Sequence, residues 1–233
     1  MEPILAGKHV VITGGTGALG GAVVHALRVR GAICHVPVAE PGEVESFSLR
    51  DDEGVKLAVG VNLRSEEAAK SFFQGVPPLF ASVHLAGGFS MAPVAETRLA
   101  DLEYLLGANV HTCFLACREA VARMRAAGEG GRIVNVSARP ALVPTGGMAA
   151  YSAAKAAVAA LTLSLAEELA PEGIWVNAVV PSTIDTPANR ASMPGADFER
   201  WPKVEDVAEA IASLVSVENR CVRGALVPVY GRS

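Results

Sequence analysis

Short apolar runs recur along this chain with helical patterns between them, and that alternation leaves few folds open. Residues 10–12, 33–38, 57–61, 80–86, 132–136, 175–180 and 225–229 read as strands. Residues 22–30, 66–74, 99–127, 151–170 and 204–217 read as helices, the third with a bend near Gly107. Residues 40–54 are polar and acidic and read as a loop, as does the Pro- and Gly-containing stretch before Gly147. A strand that is apolar on both faces must be covered on both faces. Helices alternating with such strands supply that cover, which implies a parallel sheet with helices on both sides. No linker, repeat or change of composition interrupts the series. Residues 1–233 are therefore expected to form a single doubly wound α/β domain, with a mostly seven-stranded parallel sheet.

Composition narrows the function. Apolar residues make up 51% of the 233, enough to bury a large core, and aromatics only 5%, so Ala, Val and Leu must build it. The formal net charge is −4 with no basic block, which argues against nucleic acid or an anionic membrane as partner. Lys155 interrupts the most Ala-rich stretch, so no uninterrupted apolar run of about 18 residues exists to span a bilayer. The start Met1-Glu2-Pro3 lacks a basic leader, and a cytoplasmic protein is expected. Cys34, Cys113, Cys117 and Cys221 form no CxxC pair; Cys113 and Cys117, four apart in an apolar helix, read as small buried hydrophobes. The histidines (His9, His25, His35, His84, His111) lack HExxH or paired spacing, so no metal site is expected. Neither a GxSxG elbow nor a GxxxxGK[ST] loop is present.

Thr13-Gly14-Gly15-Thr16-Gly17-Ala18-Leu19-Gly20-Gly21 follows the first strand and opens a helix. Small residues there let backbone approach a pyrophosphate, and a helix N-terminus offers free N–H groups and partial positive charge. Five glycines in the eight residues 14–21, at the first strand of a doubly wound sheet, point to a dinucleotide. An acidic residue ending the second strand would favour NAD, an arginine NADP. The chain has Val36-Pro37-Val38-Ala39-Glu40, with Glu40 slightly late and no arginine, so the choice stays open.

Tyr151 and Lys155, at i and i+4, share one helix face. An ammonium beside a phenol favours the phenolate, so Tyr151 is expected to have a lowered pKa suited to proton transfer.

With the glycine turn, Ala86-Gly87, Asn109, Ile133 to Ser137, the Tyr151/Lys155 pair and Val176-Asn177-Ala178 before Pro181, the chain resembles the short-chain dehydrogenase/reductase family over essentially its whole length. The resemblance implies a Rossmann-type sheet, NAD or NADP as cofactor and a small-molecule substrate. It implies Tyr151 as proton donor or acceptor, Lys155 as ribose contact and pKa modulator, and Asn109 as holder of a relay water. The cofactor-binding residues it implies are Gly14, Thr16, Gly17, Ala18, Leu19 and Gly20 in the turn, Val38, Asn62 and Leu63, then Ala86, Gly87 and Gly88, with Tyr151 and Lys155, and finally Pro181, Thr183, Ile184 and Thr186. Pairing through the helices around Asn109 and after Tyr151 is also implied, giving a homodimer or homotetramer. The small-residue face Ala153, Ala156, Ala157 and Ala160 suits close helix packing.

Three positions depart from the family pattern. Ala18 stands for a glycine, and Leu85 for an asparagine that braces the cofactor floor. Ala138, thirteen residues before Tyr151, stands where the family has a catalytic serine. Ser137 is adjacent, but one step along a strand turns a side chain to the other face. A carbonyl substrate would lose one donor to its developing oxyanion. Residues 184–198 with Trp201, Ala86-Gly87-Gly88-Phe89 and Gly146-Gly147-Met148 are similar to dihydropteridine reductases, a branch of the family that also lacks the serine. That resemblance implies reduction of a quinonoid pterin at a conjugated C=N system, under a substrate-side loop at about residues 182–202. The same losses also leave open a catalytically weak dinucleotide-binding regulator.

Overall fold

A computed structural model describes residues 3–143 and 145–233; Met1, Glu2 and Pro144, which the readings of the N-terminus and of the loop before Gly147 include, lie outside them. Seven strands, β1 (His9–Thr13), β2 (Ile33–Val38), β3 (Val55–Val59), β4 (Leu79–His84), β5 (Gly131–Val136), β6 (Ile174–Pro181) and β7 (Leu226–Val229), form one sheet in the order β3-β2-β1-β4-β5-β6-β7. Every neighbouring pair is parallel. The chain runs outward from β1 to β3, then returns to place β4 on the other side of β1. That reversal opens a crevice beyond the carboxyl ends of β1 and β4, where ligands of such sheets bind.

The helices are α1 (Ala18–Arg28), α2 (Gly42–Glu45), α3 (Glu66–Gln74), α4 (Leu99–Leu105), α5 (Thr112–Ala127), α6 (Ala149–Glu168), α7 (Pro187–Ser192) and α8 (Val204–Val215). Alternation along the strands fills two cores. Val10 and Ile12 of β1 face α1 and α8, with Val36, Val83, Val179 and Ile211, whereas Val11 faces the other way, with Phe73, Met124, Ile133 and Val158. The expected cover on both faces is thus present. Helix ends follow local chemistry: Ser65 accepts from Ala68 N at the start of α3, and α5 stops at Gly128, whose φ of 71° is left-handed.

Several expected boundaries move. The first helix starts at Ala18 rather than Ala22, inside the glycine turn, because Gly20 and Gly21 are already helical. The acidic loop 40–54 contains the short α2, anchored by the buried Phe47. The bend near Gly107 is a π-helical turn, Leu106–His111, between α4 and α5. The segment after β6 holds α7, capped by Thr186, which accepts from Asn189 N. Helix α6 is 20 residues long and contains an 18-residue window of mean hydropathy 1.4, the length and composition of a membrane span. It nonetheless carries Lys155 buried in its first half and lays Val158 and Ala166 on the sheet, so it is a core-facing helix.

Near the start of the sheet, His9 Nδ1 and His35 Nε2 lie 2.9 Å apart, sharing one proton. Burial first, then His9 and Lys56, push the His35 pKa down to about 4, from an ordinary value near 6.5. The folded state thus resists a proton that the unfolded chain accepts, so this stability is complete above about pH 6.5 and lost as pH falls towards 4. Thermal denaturation should show Tm declining through that window, and His35→Gln should flatten the decline. An unchanged slope in the variant would exclude the pair as its source.

Candidate active site

The site is assembled at the carboxyl ends of the strands, and it begins with bare backbone. Gly14 adopts φ of 66°, and a Cβ there would stand 2.8 Å from the Ala86 nitrogen; a Cβ on Gly20 would overlap the Gly14 carbonyl oxygen. The turn after β1 can therefore touch the chain after β4 only because Gly14 lacks a side chain, and α1 can start tight against that turn only because Gly20 does. Thr13 bridges them, its carbonyl accepting from Leu85 N at 3.1 Å and its hydroxyl from Ala86 N at 3.2 Å. Gly17 precedes α1 without a side-chain cap, which leaves the first N–H groups of the helix for a ligand. Ala18, the departure from the family glycine, is exposed at the head of α1 and distorts nothing; no residue other than glycine has positive φ among those described. Leu85 packs into the core beside the turn.

Asn109 sits in the π-helical turn, fully buried. Its Nδ2 donates to the carbonyls of Gly88 (3.0 Å) and Leu105 (2.9 Å), and its Oδ1 accepts from Gly88 N (3.3 Å). A Cβ on Gly87 would come within 2.5 Å of Asn109 Oδ1 and 3.6 Å of Lys155 Nζ, so Gly87, Asn109 and Lys155 adjoin one another. Lys155 Nζ donates to the Val136 carbonyl at 2.9 Å and lies 5.9 Å from the Tyr151 ring centre. Phe89 stands edge-on to Tyr151, with ring centres 4.9 Å apart. The structure therefore brings Ala86, Gly87, Gly88, Asn109, Tyr151 and Lys155 together beside the glycine turn. Leu63 is buried against Ala86, and Val38 accepts from Val61 N just before Asn62. Pro181 ends β6, and Thr183, Ile184 and Thr186 follow it on the same rim of the sheet.

The expected lowering of the Tyr151 pKa is corrected. Burial raises the phenol to about 12, while burial lowers Lys155 to about 8, a little offset by Cys113. The ammonium spends a hydrogen bond on Val136 and stands beyond contact with the ring, so desolvation outweighs attraction. A phenol so held stays protonated at neutral pH.

Ser137 is no substitute for the absent serine. It extends the β5–β6 ladder through Val179 O, and its buried hydroxyl is taken up in a bond to the Lys155 carbonyl at 2.8 Å. Ala138, next along and extended at φ −159°, begins the loop towards α6. In the segment after β6, Arg190 pairs with Asp185 and covers the Phe198 ring, which packs on Trp201. These groups support one another as packing anchors.

Sequence reading misses a buried polar knot between the sheet and α5. Asn135 Oδ1 is approached by His84 Nδ1 (2.8 Å), Cys113 Sγ (3.3 Å) and Cys117 Sγ (3.5 Å), while Asn135 Nδ2 donates to Thr162 and His84 Nε2 meets Ser82. Cys113 and Cys117 are thus hydrogen-bonded groups rather than plain hydrophobes. The sulfur and nitrogen atoms lie within 4.8 Å of one another, but the amide oxygen already serves as their shared acceptor. A signal for the knot does exist: Ser82 and His84 in β4 and Asn135 in β5 are polar residues set among apolar ones.

Comparison with known proteins agrees with this geometry. The family model for short chain dehydrogenase matches residues 8–196. The chain is 31% identical to the cyclic-di-GMP-binding biofilm dispersal mediator protein of Escherichia coli (97% of this chain, 96% of the relative). It is 33% identical to cis-4-hydroxycyclohexanecarboxylate dehydrogenase of Sinomonas cyclohexanicum (99% and 98%). A short-chain type dehydrogenase/reductase from Mycobacterium ulcerans superposes with a TM-score of 0.89 at 24% identity, over 98% of this chain and 90% of the other. The chain belongs to the short-chain dehydrogenase/reductase family of NAD(P)-dependent oxidoreductases.

Proposed function

We propose that the protein moves a hydride between a nicotinamide dinucleotide and a small substrate, with residues 1–233 acting as one domain and residues 182–202 covering the substrate. The convergence of Gly87, Asn109, Lys155 and Tyr151 beside a glycine turn bare of side chains is the observation that carries this reading. The turn from Gly14 to Gly20 and the adjoining Ala86 to Gly88 would hold the dinucleotide, with Val38, Asn62, Leu63 and the segment Pro181 to Thr186 along its length. The bound nicotinamide supplies the hydride. Tyr151, kept protonated by burial, gives the proton to the reduced substrate. Lys155 would contact the ribose and share the proton path, and Asn109 fixes the π-turn where a relay water would sit.

Ala138 argues for a substrate less dependent on an oxyanion donor than a ketone, such as a conjugated C=N system like a quinonoid pterin, or a quinone. The test is oxidation of NADH and NADPH with quinonoid dihydrobiopterin, quinones and simple ketones. Conjugated acceptors should exceed ketones by about 10²–10³ in turnover, the usual worth of one such donor. Ketones turned over equally well would refute the role given to Ala138. A second reading, a ligand-binding regulator, is favoured by the same Ala138 and by the binding named for the Escherichia coli relative; it predicts dinucleotide binding with no turnover of any acceptor.

Pairing of two copies is supported by the outward side of α5 and α6, where Phe114 and Leu163 are exposed beside Ala153 and Ala160. All four cysteines are free thiols, in keeping with a cytoplasmic location.

A further inference from the structure

The end of β2 carries no carboxylate of its own, but Glu43 lies close by. Val38 closes β2 buried and uncharged, and the exposed Ala39 and Glu40 follow it. The chain then turns back through α2, held down by Val44 and the buried Phe47. This return carries Glu43 over the glycine turn, where its Oε2 accepts from the Thr16 hydroxyl at 2.5 Å and its Oε1 from Glu40 N at 3.2 Å. The carboxylate thus bridges the turn after β1 and the chain after β2. In a doubly wound sheet that gap receives the adenosine ribose of a dinucleotide.

Charge around the gap has one sign. Residues 36–49 contain Glu40, Glu43 and Glu45 and no lysine or arginine. The next basic groups are turned elsewhere: Arg50 to the Glu45 carbonyl and Asp51, Arg28 to Asp52. Ribose hydroxyls can donate to a carboxylate that Thr16 already holds in place, whereas a 2′-phosphate would meet it as a like charge with no lysine or arginine of residues 36–49 to offset it.

We infer that Glu43, bridging to Thr16, selects the unphosphorylated adenosine ribose and makes this an NAD(H) site that rejects NADP(H). The inference rests on the dinucleotide reading above and names the residue that sets its specificity.

The test is binding rather than turnover: NADH and NADPH are titrated separately into the full-length protein without substrate, following nicotinamide fluorescence. Wild type should bind NADH at least about tenfold more tightly, the scale of one charge-assisted hydrogen bond from the ribose set against one like-charge repulsion of the phosphate. Glu43→Gln should shrink that ratio by about tenfold, chiefly by tightening NADPH. Glu45→Gln, the same charge change two residues on without contact to the turn, should leave the ratio as in wild type. NADPH binding as tightly as NADH in wild type would overturn the selectivity while leaving the dinucleotide site standing, and so would an equal shift in both variants. Failure of both nucleotides to bind would remove the dinucleotide reading together with this inference.

Discussion

Replacing Tyr151 with phenylalanine should lower turnover by about 10²–10⁴, the range supplied by a positioned acid, or about 3–5 kcal/mol of barrier. The substitution removes one oxygen and keeps the ring, so the edge-on packing against Phe89 survives. Lys155 keeps its bond to Val136, which does not involve the phenol. Dinucleotide affinity and Tm should therefore stay at wild-type values while kcat collapses. Steady-state kinetics beside a binding titration check both halves. A variant with undiminished kcat would show that the proton comes from elsewhere.

The reverse experiment adds a group. Ala138→Ser restores a hydroxyl where the family carries its serine, and turnover of simple ketones should rise by about 10²–10³. Ala138 is 6% exposed and extended, two residues past the end of β5, so the variant adds one oxygen at the position that separates this chain from the family pattern. Turnover of a conjugated C=N acceptor should change little, since the new donor serves an oxyanion that such a substrate does not develop. The difference between the substrates matters, because a general gain in stability would raise both. Unimproved ketone turnover would mean that position 138 does not face the reacting carbon.

Both experiments rest on residues that can be named from spacing alone, while the environment of those residues cannot. Tyr151 and Lys155 lie on one face of α6 because four residues make a helical turn. Spacing carries no information about burial, however, and burial is what raises the phenol and lowers the amine. Strand alternation sets Ser137 on the face opposite its neighbour Ala138, and its hydroxyl bonds the Lys155 carbonyl. Glu43 escapes such rules, and Glu40 stands out in the sequence instead, because a loop's return path depends on Phe47 and Val44 finding the core.

Periodicity and the glycine cluster were sufficient to determine the sheet, its cover on both faces and the bare turn after β1. Each of these follows from local rules: alternation along a strand, repetition along a helix, and the room a missing Cβ leaves. Only the tertiary structure decided that Asn109 ties a π-turn to Gly88, that His84, Asn135 and two cysteines share one buried knot, and that Glu43 leans on Thr16. Those contacts join residues 18 to 51 positions apart. Their energies depend on desolvation and distance, which exist only once the chain has closed on itself.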